Sequence, residues 1–280
     1  VQIISSLQLI RFGNCLIAAV SVWVGAYLAA GFVTTPALWV TMAGVFCICA
    51  GGNIVNDIID RRIDTISHPD RPIPAGKVSI HAAKVLAIIF HLSAMILIAF
   101  SNLTVALAGV FAILALLAYN LRLKRVPLVG NLIIAILAGL TLVCGGLAVD
   151  PDATLLLPGP IVAAMFAFFF HLIREIIKDI EDMDGDSRNN ASSLALWLGV
   201  KPSLSLALLL TLIAMALTVL PFVLGWYGIV YLWIVLLLVD LPVTAFVLLA
   251  FLRPSRRRLN WCRICLKVGM VCGLAALVVA

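Results

Sequence analysis

Apolar stretches interrupted by short polar joints run the length of the chain. They fall at about 7 to 30, 36 to 56, 82 to 100, 102 to 119, 127 to 149, 157 to 179, 202 to 222, 228 to 252 and 262 to 280. Each is close to the roughly 20 residues with which a helix crosses a bilayer. Within them hydrophobic residues occur at nearly every position, not at every third or fourth. The pattern therefore predicts helices that are apolar all round. The expected fold class is all-α integral membrane: nine transmembrane helices around a central cavity, in a single domain spanning 1–280. Composition agrees, with 64% hydrophobic and 11% charged residues, far from the balance of a water-soluble domain.

The joints fall into two classes. Thr34, Thr35 and Pro36, then Ser101 and Asn102, then Asp150, Pro151 and Asp152, and finally 225–228 carry no Lys or Arg. All 19 basic residues lie at the alternate joints or near the start. The positive-inside rule makes that side cytoplasmic and predicts a cytoplasmic N-terminus in a multi-pass protein of the cell membrane. The net charge of +6 thus follows from topology. No basic tract interleaved with aromatics points to a nucleic-acid partner. Arg11 and Asn14 fall inside the first apolar stretch, which reads as a retained span, not a signal peptide. The seven cysteines show no pairing pattern and read as small packing residues.

Ten of the thirteen acidic residues lie in 57–70 and 175–186. Asn53, Asp57, Asp60 and Asp64 have offsets 0, 4, 7 and 11, and Glu175, Asp179, Asp182 and Asp186 repeat them 122 residues later. At about 100° per residue each set shares one helix face. The same polar stripe therefore appears twice, each time where an apolar span meets the cytoplasmic interface. Like charges one turn apart repel, and carboxylates beside hydrocarbon are costly unless paired. A compensating cation is implied. Carboxylates with Asn amides and no nearby paired His or Cys suit a hard ion such as Mg2+, which typically binds one or two carboxylates together with phosphate oxygens.

These residues resemble the UbiA superfamily of intramembrane prenyltransferases. Asn56, Asp57, Asp60 and Asp64 match its first motif, followed by a similar loop at 70–76. Asp182 and Asp186, with Asp179 just upstream, match its second. The run 119–131, containing Tyr119, Lys124 and Arg125, is similar to the family's connection between the fourth and fifth helices. Within the superfamily, 174–186 and the residues around Arg11 and Asn14 are most similar to the geranylgeranylglyceryl phosphate geranylgeranyltransferases. Asn190 departs from that subgroup, which usually has Gly there.

The resemblance implies magnesium-dependent transfer of a prenyl group from a prenyl diphosphate donor to the hydroxyl of a prenylated glycerol phosphate acceptor, among membrane lipids. Asp57, Asp60, Asp64, Asp179, Asp182 and Asp186 are the implied magnesium and diphosphate ligands. Asn53 and Asn56 support them, and Glu175 is a further candidate. Arg71, Lys124, Arg125 and Lys178 are candidate phosphate contacts, and Arg11, Asn14 and Arg174 are candidates for the acceptor's phosphate. Gly25, Gly44, Gly109, Gly139, Gly145 and Gly146 offer room for a prenyl tail, or else serve helix packing. Arg253, Arg256, Arg257 and Arg258 read as binding anionic lipid or setting topology. Asp240, deep in the eighth span, has no role in this scheme. Two alternatives remain: an aromatic acceptor, as in quinone or chlorophyll-type synthesis, and an ion-coupled secondary transporter. Transporter sites tend to lie near the bilayer midplane, whereas both stripes here lie at span ends.

Overall fold

The computed structural model describes the backbone of residues 3–188 and 193–280; the side chains of residues 67 and 184–188 fall outside the description. Asn190 is therefore outside the described residues, and Asp186 is placed by its helical backbone alone. The elements are α1 (Ile3–Leu9), α2 (Phe12–Ala30), α3 (Pro36–Ser67), α4 (Ile80–Ala99), α5 (Leu103–Leu121), α6 (Val129–Val149), α7 (Pro151–Thr154), α8 (Pro160–Arg188), α9 (Leu194–Leu198), α10 (Val200–Val223), α11 (Ile229–Val235), α12 (Leu241–Leu252) and α13 (Arg256–Val278). Among the described residues there are nine helical runs long and apolar enough to cross a membrane. The eighth is continuous from α11 to α12 through a π-helical stretch, Leu236–Asp240. The expected all-α multi-pass architecture is the observed one.

Contacts group the chain into two compact units. One comprises Val1–Lys124 with Leu140–Thr154, the other Arg125–Gly139 with Leu155–Ala280. In the first, α3 packs on α2, α4 and α5. Its start is fixed by Thr35, whose Oγ1 accepts the Leu38 N–H at 3.2 Å, with Pro36 in the first turn. In the second, α8 packs on α10 and α13. Ile173, Ile176 and Ile177 of α8 are fully buried.

Lipid rather than water is the matching environment for the outer surfaces. On α5 the exposed residues Leu107, Phe111 and Leu114 share one face, and Ile88, Leu92 and Ile96 do the same on α4. Contiguous apolar stripes of this size are rare on water-soluble chains.

Several span limits differ from the sequence expectation. α3 continues to Ser67 and α8 to Arg188, so both acidic stripes are carried on unbroken helix. Asp57 and Asp60 thus lie two turns or more before the end of α3. The last span begins at Arg256, with Ser255 Oγ accepting the Arg258 N–H at 3.3 Å. Three arginines thereby fall in the first helical turn.

The first span is not one helix. Arg11 stands in a joint between α1 and α2 with φ 53° and ψ 54°, a left-handed conformation unusual for a side chain with a Cβ. The carbonyl of Ile10, released by the break, accepts from Asn53 Nδ2 at 2.9 Å and from Cys15 Sγ at 3.1 Å. Arg11 therefore projects from a break that α3 itself holds open.

The glycines are packing devices, not room for a tail. A Cβ on Gly25 would strike the Leu142 backbone, and one on Gly145 would strike the Val22 carbonyl. α2 and α6 thus approach backbone to backbone. Gly139 meets the Ala164 carbonyl in the same way, whereas a Cβ on Gly44 or Gly109 would meet the Ile98 side chain first, at 2.8 and 2.7 Å. Gly145→Ala is expected to cost about 1–3 kcal/mol and to lower the melting temperature in detergent, because backbone cannot rotate aside. Gly44→Ala is expected to cost less, since the Ile98 side chain can shift. Equal melting temperatures for the two variants would contradict this reading.

Asp240 also finds its place. It is 1% exposed and its Oδ2 accepts from Thr218 Oγ1 of α10 at 2.9 Å, while Tyr231 Oη donates to the Thr218 carbonyl at 2.8 Å. Asp240 thus pairs with a neighbouring helix at a π-bulge that relieves the missing N–H of Pro242.

Candidate functional site

The first acidic stripe is buried and neutralised by three cations from three segments. Asp57 and Asp64 are each 2% exposed. Arg11 Nη2, from the joint between α1 and α2, donates to Asp57 Oδ1 at 2.8 Å. Arg71 Nη1, from the α3–α4 loop, donates to both oxygens of Asp64 at 2.8 and 2.7 Å, and lies 3.7 Å from Asp57. Lys124, from a single 3₁₀ turn at Leu123–Arg125, pairs with Asp60. Carboxylates one turn apart would otherwise repel at the edge of a bilayer.

The loop carrying Arg71 is braced by its own backbone. The N–H groups of Arg71, Ala75, Gly76 and Val78 reach the carbonyls of His68, Arg71, Ile73 and Pro72 respectively, at 2.9 to 3.1 Å. Gly76 turns the chain at φ 70°, which Gly adopts without penalty. Pro72 and Pro74 stiffen the turn. Local sequence thus fixes the reach of Arg71 before any ligand arrives.

Asn53 and Asn56 extend the stripe differently. Asn53 uses its amide N–H on the Ile10 carbonyl, so its observed part is to hold the joint that projects Arg11. Asn56 is half-buried one turn before Asp60. Asn14 opens α2 with its N–H on the Arg11 carbonyl at 2.8 Å. Tyr119, half-buried, lies near the end of α5 beside Asn120, whose Nδ2 donates to the Gly52 carbonyl at 3.3 Å. That contact ties α5 to α3 directly beside the motif.

The second stripe lies on α8, turned roughly 140° from the buried isoleucine face at about 100° per residue. Glu175 is 6% exposed and receives Arg174 Nη1 at 2.6 Å, with Lys178 Nζ at 3.6 Å. Asp179 accepts Asn131 Nδ2 at 3.0 Å and the Leu194 N–H at 3.3 Å, both on Oδ2. The α6 N-terminus and the start of α9 therefore orient Asp179. Asp182 is half-buried further along α8. Glu181, off the stripe, pairs with Arg263 Nε of α13 at 3.1 Å. Arg125 is exposed, and no carboxylate lies within ion-pair range of it among the described residues.

Sequence reading missed Asn131, Asn120 and the Glu181–Arg263 pair. Their only signal was position: two polar amides and a lone cation within otherwise apolar helices, where uncompensated polar groups are costly.

The donor set suits a hard divalent ion. Asp57, Asp60, Asp64, Asp179 and Asp182 present carboxylate oxygens, the ligands a hard ion prefers over the Cys15 and Cys49 thiols beside Asn53. Among the described residues no three His, Cys, Asp or Glu side chains come close enough to hold an ion by protein atoms alone. That matches an ion taking one or two carboxylates and completing its shell with substrate oxygens and water.

Comparison with known proteins agrees with this construction. Residues 18–268 match the UbiA prenyltransferase family. The chain is 34% identical over 279 residues to a digeranylgeranylglyceryl phosphate synthase of Saccharolobus solfataricus, covering 97% of this chain and 95% of that one. A digeranylgeranylglyceryl phosphate synthase of Methanoculleus marisnigri is likewise 34% identical, covering 98% and 97%. Among solved structures, a digeranylgeranylglyceryl phosphate synthase superposes with TM-score 0.75 at 30% identity over 98% of this chain and 96% of that one. A UbiA homolog from Archaeoglobus fulgidus bound to GPP and Mg2+ shares the fold, with TM-score 0.66 at 17% identity over 98% of this chain and 99% of that one. With two carboxylate stripes on unbroken membrane helices and a match across nearly its whole length, the chain belongs to the UbiA prenyltransferase family.

Proposed function

We propose that the enzyme transfers a geranylgeranyl group from its diphosphate to the free hydroxyl of a prenylated glycerol phosphate, forming an ether lipid precursor. The observation that carries this reading is the set of three separate cations held against Asp57, Asp60 and Asp64. Residues 1–280 act as one functional domain of a protein of the cell membrane, and each stripe lies at the cytoplasmic end of its helix. Similarity to synthases of that name supports the choice of acceptor.

Bound magnesium would neutralise diphosphate oxygens and stabilise the charge that grows on them. Asp57, Asp60 and Asp64, with Asn56, on α3, and Asp179, Asp182 and Asp186 on α8, are the residues that would hold it. The remaining roles follow from charge. As the allylic C–O bond breaks, its electron pair leaves with the diphosphate. Arg71, Lys124, Arg125 and Lys178 lie on the segments that meet that charge. The charged groups of Arg71, Lys124 and Lys178 turn from carboxylate to phosphate oxygens, exchanging one anion for another. The acceptor hydroxyl oxygen bonds to the allylic carbon and gives its proton to a carboxylate oxygen of the site. Arg11 with Asn14 serves the acceptor's phosphate, and Arg174 is a second cation of the same kind on α8. Asn53 and Tyr119 shape the pocket around it.

Two results test this reading. Purified enzyme given geranylgeranyl diphosphate and a prenylated glycerol phosphate should yield a product heavier by one geranylgeranyl group. Product only from a hydroxybenzoate-type acceptor would instead favour the aromatic alternative. Arg11→Ala should raise the KM for the acceptor about tenfold, the scale of one charge-assisted contact, and raise the KM for the donor by less. Equal rises would remove Arg11 from the acceptor's phosphate.

A further inference from the structure

Four arginines near the two stripes face carboxylates: Arg11 with Asp57, Arg71 with Asp64, Arg174 with Glu175 and Arg263 with Glu181. The turn between α12 and α13 is built otherwise. Arg253, Arg256, Arg257 and Arg258 gather there, the first three exposed, and among the described residues none has a carboxylate within ion-pair range. The turn is nonetheless ordered by its own bonds. Arg258 Nη1 donates to the Arg253 carbonyl at 2.6 Å, and Ser255 caps α13. The arginines therefore bracket the amide end of a 23-residue helix, where its dipole adds further positive potential.

Depth in the bilayer is marked on both sides of this turn. Leu252 before it is 62% exposed and Trp261 after it is 48% exposed. A leucine facing hydrocarbon and a tryptophan at headgroup level place the guanidinium groups at the depth of lipid phosphates. Four planar forks without a protein anion, at that depth, match phosphate in charge and geometry.

We infer that the α12–α13 turn is a binding site for the headgroup phosphate of an anionic membrane phospholipid, separate from the catalytic stripes. A role in topology alone needs only positive charge, which Lys supplies as well as Arg. A phosphate clamp needs the forks. The site is independent of the acceptor assignment, because its readout is bound lipid and not turnover.

The test uses native mass spectrometry of the detergent-purified, delipidated full chain with added dioleoylphosphatidylglycerol or dioleoylphosphatidylcholine. Wild-type protein should retain the anionic lipid and release the zwitterionic one. The quadruple Arg→Gln variant should bind phosphatidylglycerol roughly a hundredfold more weakly. The quadruple Arg→Lys variant, with charge and topology kept, should bind about tenfold more weakly than wild type. Melting temperatures near wild type would confirm that both variants fold; if the Gln variant unfolds, the Lys variant alone decides. Unchanged retention in the Lys variant, or equal retention of the two lipids by wild type, would overturn the site.

Discussion

Asparagine at Asp60 or at Asp182, each alone, is expected to lower prenyl transfer about a thousandfold, the upper scale for losing one preorganised charge contact in a dry site. Asn keeps the shape of Asp and removes one negative charge, so the helices should persist while the hold on magnesium and diphosphate fails. Asp60 sits in a stripe whose three carboxylates each meet a cation, and losing its charge leaves Lys124 without an anion. Asp182 stands on α8 one turn beyond Asp179, on the helix face turned away from the buried isoleucines. Initial rates at saturating donor, with melting temperatures as a control for folding, measure the effect. A chelator should abolish wild-type turnover and added Mg2+ should restore it. Near wild-type rates in either variant, or full activity in the chelator, would contradict the metal assignment.

Arg71→Ala should cause the largest loss of stability in the site. Its guanidinium supplies both hydrogen bonds to Asp64 and lies 3.7 Å from Asp57, and both carboxylates are buried. Removing one partner of a buried pair leaves an uncompensated charge, at a cost of about 3–5 kcal/mol. Arg71→Lys keeps a charge but on a stem of different length and shape, which cannot place it where Nη1 reaches both Asp64 oxygens, so an intermediate loss is expected. Because Mg2+ offers the same carboxylates another cation, it should raise the melting temperature of Arg71→Ala more than that of wild type. Thermal unfolding in detergent with and without Mg2+ measures this. A variant as stable as wild type, with no response to Mg2+, would show that Arg71 does not neutralise Asp64.

Much of this arrangement was legible in the chain itself. Apolar length alone gives nine crossings, because a bilayer leaves the backbone few other solutions. The offsets shared by 53–64 and 175–186 place each acidic set on one helix face, and α3 and α8 carry them so. What could not be read depends on which segments meet in space. Periodicity gives no sign that Arg11 occupies a left-handed joint, since that conformation rests on Asn53 taking the Ile10 carbonyl from another helix. Asn131 appears in sequence as one amide near a helix start, and only the fold brings it to Asp179. The glycines were ambiguous for a related reason. Small residues admit either a ligand or a neighbouring backbone, and Leu142 and Val22 decide for backbone at Gly25 and Gly145. Asp240 stands in the sequence as a lone carboxylate, and only the fold brings the Thr218 hydroxyl to its Oδ2 at 2.9 Å, while Oδ1 stays buried without a hydrogen-bond partner.

The most direct test of the account is whether each acidic stripe is needed to bind the donor. Mg2+-dependent affinity for geranylgeranyl thiodiphosphate, a slowly reacting donor analogue, would be measured for wild type, Asp60→Asn and Asp182→Asn. Each variant is expected to lose most of the magnesium-dependent affinity while keeping the wild-type melting temperature. Wild-type affinity in either variant would contradict the assignment of its stripe to magnesium and diphosphate.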